Sequence, residues 1–187
     1  MNAARRLRLA ARFGLTALFA GLAACQSPET PAPKPDTAIS GAGAVYYLVR
    51  HAEKELTGED PALSAAGVER ATALAERLKD VPLSAVYSTD TRRTRDTAAD
   101  VIAQQQIPLV LYDGRALESF AEQLLQKNGH YLIVGHSNTT GELASALGGE
   151  GGSPIVEASE YDRLYIVKRR AQPSGQALIT TDLQRYP

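Results

Sequence analysis

Four short apolar runs, separated by amphipathic stretches and each ended by charged or hydroxyl-bearing residues, constrain this chain more than any other feature. Ala44 to Val49, Ser84 to Ser88, Pro108 to Tyr112 and Tyr131 to Gly135 are rich in β-formers and have the length of buried strands. The intervals read as helices. Ser64 is a suitable N-cap for a helix to Leu78, with Val68, Ala71, Leu74, Ala75 and Leu78 on one face. A second helix runs from about Thr91 to Gln105 and ends before Pro108, and a third is marked by Leu117, Phe120, Ala121, Leu124 and Leu125. Thr139-x-x-Glu142 resembles a capping box opening a helix that stops at Gly148-Gly149. Arg163 to Arg169 and Ala177 to Asp182 flank the turn Pro173-Ser-Gly175, a hairpin pattern. Alternating strands and helices predict a three-layer α/β/α sandwich around a mostly parallel sheet, with antiparallel strands arriving late.

The segment before the first run reads as an address and a tether. Residues 1–24 carry Arg5, Arg6, Arg8 and Arg12 and no acid, followed by an apolar stretch to Ala24 of signal-peptide length and too short to span a bilayer comfortably. Leu22-Ala-Ala-Cys25 resembles the bacterial lipobox, in which the cysteine is lipidated and becomes the first residue; Gln26 after it fits sorting to the outer membrane. Residues 25–43 hold Pro28, Pro31, Pro33 and Pro35 and read as an extended tether, leaving a domain over 44–187. The whole chain has 20 basic and 21 acidic residues. Removal of the signal leaves sixteen basic side chains against those 21, an acidic domain with no general attraction for nucleic acid. One cysteine excludes an internal disulfide framework and a cysteine-rich zinc module.

In sheets of this kind ligands bind beyond the carboxyl ends of the parallel strands. The residues found there are Arg50-His51, Ser88-Thr89-Asp90 with Arg92-Arg93, Asp113, and His136-Ser137. Arginine forks match phosphate oxygens, a neutral imidazole can attack phosphorus, and a rim carboxyl can protonate a departing alkoxide. A zinc site from His51, His130 and His136 would set Arg50 beside a dication and require His130 to cross the sheet. There is no Walker-type loop.

Four segments, in order over residues 44–147, carry a family resemblance. Leu48-Val-Arg-His-Ala-Glu-Lys54 resembles the Arg-His-Gly signature of the histidine phosphatase superfamily, with Ala52 for glycine. Asp60-Pro-Ala-Leu-Ser-Ala-Ala-Gly67 resembles its Leu-Ser-x-x-Gly segment, Tyr87 to Ala98 its Ser-x-x-x-x-Arg-x-x-x-Thr-Ala stretch, and Val134-Gly-His-Ser-Asn-Thr139 its second-histidine motif. The resemblance implies a phosphoglycerate mutase-like fold and a phosphorylated His51. It implies a phosphate pocket of Arg50, Arg93 and His136, with Ser137 contributing its N–H at the following helix start. The general acid of many members lies after the third strand, where Asp113 is the first choice and Glu118 the second; Glu53 is a weaker candidate. No metal or cofactor is implied.

The missing asparagine of the mutase pattern argues against phosphoglycerate mutase activity, as does export. The thirty or so residues between Ala98 and Tyr131 leave no room for a large lid, so an open site is expected. The expected activity is a phosphatase on the periplasmic face of the envelope, acting on a phosphorylated small molecule, an envelope glycolipid or a phosphoprotein, phosphohistidine included. The alternative is a catalytically idle phosphate-binding or envelope-interaction module on the same fold.

Overall fold

The computed structural model describes residues 43–187. The expected signal segment, Cys25 and the tether up to residue 42 lie outside the described residues. In chain order the elements are β1 (Gly43–Arg50), α1 (Ala65–Leu78), β2 (Ala85–Ser88), α2 (Arg92–Gln105), β3 (Leu109–Leu111), α3 (Leu117–Leu125), β4 (Gly129–Gly135), α4 (Thr139–Ala146), β5 (Arg163–Ala171) and β6 (Ala177–Arg185). They form one six-stranded sheet in the order β3-β2-β4-β1-β5-β6. The first four strands in that order are parallel, while β5 and β6 are antiparallel additions. The domain is therefore the expected mostly parallel α/β/α sandwich.

Strand alternation divides the interior between two faces. Ala44, Tyr46 and Leu48 of β1 join Tyr87, Ile133 and the apolar residues of α3 and α4 in one core. Val49 joins Val86, Leu132 and Val134 against α1 and α2 in the other. Leu74 and Leu78 of α1 are fully buried, each contributing roughly 1.5–3 kcal/mol by leaving water. Ser64 caps α1, its hydroxyl accepting the Gly67 N–H at 3.2 Å.

Three local expectations need correction. Val68 is 54% exposed, because Gly67 rather than Val68 occupies the inner position of the first turn of α1. A side chain at Gly67 could not fit: its Cβ would lie 2.0 Å from the Glu53 carbonyl oxygen. The second concerns α4, which has Asn138 at its N-cap with no side-chain cap bond. Thr139 stands inside the helix and its hydroxyl accepts the N–H of His136, so it ties the preceding loop instead of closing a capping box. The third concerns His130, which the sequence reading leaves just outside the strand beginning at Tyr131. It lies within β4, stacked on the half-buried Tyr47 with ring centroids 6.1 Å apart.

Candidate active site

Adjacent strands bring the two central histidines together. Arg50 of β1 is in register with Gly135 of β4, so His51 and His136 are equivalent first residues beyond neighbouring parallel strands. The His51 N–H continues the ladder to the Gly135 carbonyl at 2.9 Å. The two rings meet edge to face, with centroids 5.4 Å apart. Gly135 is required here by close approach, since a Cβ would fall 2.8 Å from the Tyr112 hydroxyl and 2.9 Å from that of Thr139. His130, six residues back along β4, is roughly 20 Å away at the other end of the strand.

Hydrogen bonds assign the ring protons. Nδ1 of His51 lies 2.8 Å from the Ala52 carbonyl, which can only accept. Nδ1 therefore carries the proton, and Nε2 keeps its lone pair. His136 has the opposite tautomer: an Arg93 guanidinium N–H faces its Nδ1 at 3.5 Å, while Nε2 is 2.9 Å from the Thr89 hydroxyl. Nε2–H donates to Thr89, whose hydroxyl donates in turn to Thr94 at 3.2 Å.

The arginines are held just as closely. Arg50 is 1% exposed; its Nη1 donates to the Glu160 carbonyl at 2.9 Å and its guanidinium lies over the Tyr161 ring at 4.0 Å. Arg93 sits in the first turn of α2, 3.7 Å from Asp60, whose carboxylate also accepts the Arg92 N–H. Arg50 Nε and Arg93 Nε are buried without a hydrogen-bond partner among the described residues, and phosphoryl oxygens are acceptors of the kind they lack. Thr97 couples this helix to the nucleophile loop: its hydroxyl accepts the Ala52 N–H at 2.9 Å and donates to the Arg93 carbonyl.

Burial sets the protonation of both rings. Desolvation pushes His51 down to about 3 and His136 to about 4, with repulsion from Arg50 and Arg93 acting in the same direction. His130 is also lowered by burial. Unfolded histidines take up protons below about 6.5 that the folded ones refuse, so acidification favours the unfolded chain. We predict that thermal stability falls between pH 7 and pH 5 and that His51→Asn flattens this fall. Glu160, held at about 2, adds to acid loss only below the ordinary glutamate range, so the upper window reports on histidine. A flat melting temperature from pH 7 to 5 would contradict the assignment.

The remaining candidates are spread around this centre. Asp113 lines a cleft of about 620 Å³ beside His136, with Thr89, Tyr112, Arg115 and Thr139. It is exposed, and Arg115 takes both its oxygens at 3.0 Å and holds it below the ordinary aspartate range. Glu118 is exposed in the first turn of α3. Glu53 is committed to Arg70, which reaches it at 2.7 Å. Ser137 borders a separate hollow of about 280 Å³ with Gly141, Ser145 and Ser153. The Thr139 and Thr140 N–H groups both turn back to the His136 carbonyl, so they are not directed outward at this helix start.

Sequence reasoning missed Tyr161 and the Glu160 carbonyl. The rule of looking after each strand holds for parallel strands only. β5 is antiparallel to β1, with Leu164 opposite Val49, so the residues before β5 arrive at the edge that carries His51. The signal was available as an aromatic residue just ahead of an antiparallel strand.

Residues 46–116 match the family model described as histidine phosphatase superfamily (branch 1). Among solved structures, the protein histidine phosphatase SixA complexed with tungstate resembles the chain with a TM-score of 0.58 and 17% identity, over 75% of this chain and 96% of that one. A mycobacterial glucosyl-3-phosphoglycerate phosphatase has a TM-score of 0.57 and 13% identity, over 77% and 98%. A phosphoglycerate mutase from Bacillus anthracis has a TM-score of 0.55 and 15% identity, over 74% and 92%. At these identities the likeness is one of fold. No curated protein matches the chain.

Proposed function

We propose, from the premise that this chain belongs to the histidine phosphatase superfamily (branch 1), that it hydrolyses phosphomonoesters or phosphohistidine through a phosphorylated His51. The observation that carries this reading is the His51 tautomer: with Nδ1–H given to the Ala52 carbonyl, the Nε2 lone pair is available for attack without prior deprotonation. Arg50 and Arg93 provide fixed positive charge for a phosphoryl group in transfer, and burial raises the worth of that charge. His136, with Nε2–H committed to Thr89, supplies a neutral ring edge beside the nucleophile. The phosphoryl group passes from the substrate oxygen to Nε2 and then to water, regenerating the neutral imidazole.

Brief exposure of the full chain to a phosphomonoester, followed by quenching at alkaline pH, should trap one base-stable, acid-labile phosphate at His51. Phosphate binding without trapping or turnover across a broad ester panel would instead identify an idle phosphate-binding module.

The reading extends to location. We place the enzyme on the periplasmic face of the outer membrane, tethered by a lipid on Cys25, on the support of Leu22-Ala-Ala-Cys25 and Gln26. Its substrates are then phosphorylated small molecules, envelope glycolipids or phosphoproteins. A radiolabelled fatty acid should mark the native chain and leave Cys25→Ser unmarked; equal labelling of both would exclude the anchor.

A further inference from the structure

We propose that Glu157 is the carboxyl group that protonates the departing oxygen, carried to the pocket by the turn from Val156 to Tyr161. The proposal rests on the phosphatase reading above.

The turn is rigid and fastened to the site. The Val156 carbonyl accepts the N–H groups of Ser159 at 3.1 Å and Glu160 at 2.8 Å, and the Val156 N–H returns to the Glu160 carboxylate at 2.7 Å. That carboxylate is gripped by Arg163, which is 5% exposed and also holds the Ser153 carbonyl at 2.7 Å. At its far end the turn meets the pocket directly, through the Glu160 carbonyl on Arg50 and the Tyr161 ring beneath that guanidinium. Tyr161 also faces His51, with ring centroids 6.0 Å apart. Glu157 lies on this turn and is exposed. Its charge is felt by both Arg50 and His136, favouring their protonated forms.

Apart from Glu118, exposed in the first turn of α3, the other carboxylates around the pocket are occupied. Arg115 takes both oxygens of Asp113, Arg70 those of Glu53, and Arg95 pairs with Asp90. Asp60 accepts the Arg92 N–H and lies beside Arg93. Glu160 is held by Arg163 and Arg185. A carboxylate in such a pair must break it to carry a proton, whereas Glu157 forms no hydrogen bond or ion pair among the described residues. In the first step the His51 Nε2 lone pair forms the N–P bond, the ester P–O bond breaks, and the alkoxide takes the Glu157 proton. In the second, water forms a P–O bond and yields its proton to the Glu157 carboxylate as the N–P bond breaks. The balance is ester plus water to alcohol plus phosphate.

The test compares native chain and Glu157→Gln on an alkyl ester, glycerol 2-phosphate, and on p-nitrophenyl phosphate, whose leaving group needs no proton. In a single turnover, where leaving-group release reads the first step alone, loss of a general acid lowers that rate by about 100-fold or more on the alkyl ester and by no more than about threefold on the aryl ester. The melting temperature should be unchanged, because Glu157 is exposed and forms no hydrogen bond or ion pair among the described residues. Equal falls on both esters, or none on either, would overturn the role of Glu157. A selective alkyl-ester loss in Asp113→Asn or Glu118→Gln, with Glu157→Gln active, would do the same. Failure of the native chain on both esters with no trapped phosphate would overturn the phosphatase reading itself.

Discussion

Replacing His51 with alanine should lower kcat for any phosphomonoester by on the order of 10⁴ or more and abolish the trapped phosphate, because covalent transfer has no other acceptor in the pocket. His136 does not substitute for it. Its Nε2 carries the proton donated to Thr89, and its Nδ1 faces an Arg93 N–H, so neither nitrogen offers a free lone pair to phosphorus. The fold should survive, since Arg50 remains fixed by Glu160 and Tyr161 and the strand pairing of β1 is untouched. Single-turnover hydrolysis with a melting curve on the same sample separates the two effects. Full turnover in His51→Ala would refute a phosphohistidine mechanism.

The largest loss of stability is expected at Gly67, which itself carries no reacting group. An alanine Cβ placed there meets the Glu53 carbonyl oxygen at 2.0 Å and its carbonyl carbon at 2.9 Å, and both belong to main chain that cannot swing aside. The same carbonyl accepts the Ser64 N–H at 3.0 Å, and the neighbouring Lys54 pairs with Leu63. Relief requires moving either α1 or the loop that follows His51 by two residues. We expect Gly67→Ala to cost upwards of about 3 kcal/mol, at the severe end of overpacking, and to lower the melting temperature by roughly 10 °C. Turnover should fall as well in the fraction that folds. A variant with native melting temperature and native kcat would show that the loop yields freely.

This glycine illustrates what the sequence could and could not disclose. The Asp60 to Gly67 segment was recognisable by its resemblance, but its purpose is visible only in three dimensions: it braces the nucleophile loop, with Gly67 as the contact and Asp60 as the carboxylate under the Arg92 N–H. Thr97 is similar. Its place in a Thr-Ala pair selected Arg93, whereas the bond from its hydroxyl to the Ala52 N–H spans 45 positions. The strands and helices were legible because burial imposes its period directly on the sequence, as in Tyr46 and Leu48 against Val49. Val68 misled because apolar identity was taken for an inner position, which steric pressure from Glu53 assigns to glycine instead. Tyr161 escaped because strand direction, not composition, decides which end of a strand faces the site. The bonds that assign the histidine protons run to a backbone carbonyl and a threonine hydroxyl, partners that sequence patterns do not mark.

The position of β1 in the sheet has a consequence for the order in which the domain forms. Its two neighbours are β4 and β5, so Leu48 waits for Ile133 on one side and Tyr165 on the other. No strand near it in sequence can hold it, and such distant pairings slow folding because long loops must close before contacts compensate them. A chain emerging from its amino end would therefore carry the first strand unpaired through most of synthesis. The reactive imidazole, early in the sequence, is set in place only when nearly the whole domain is available to receive it.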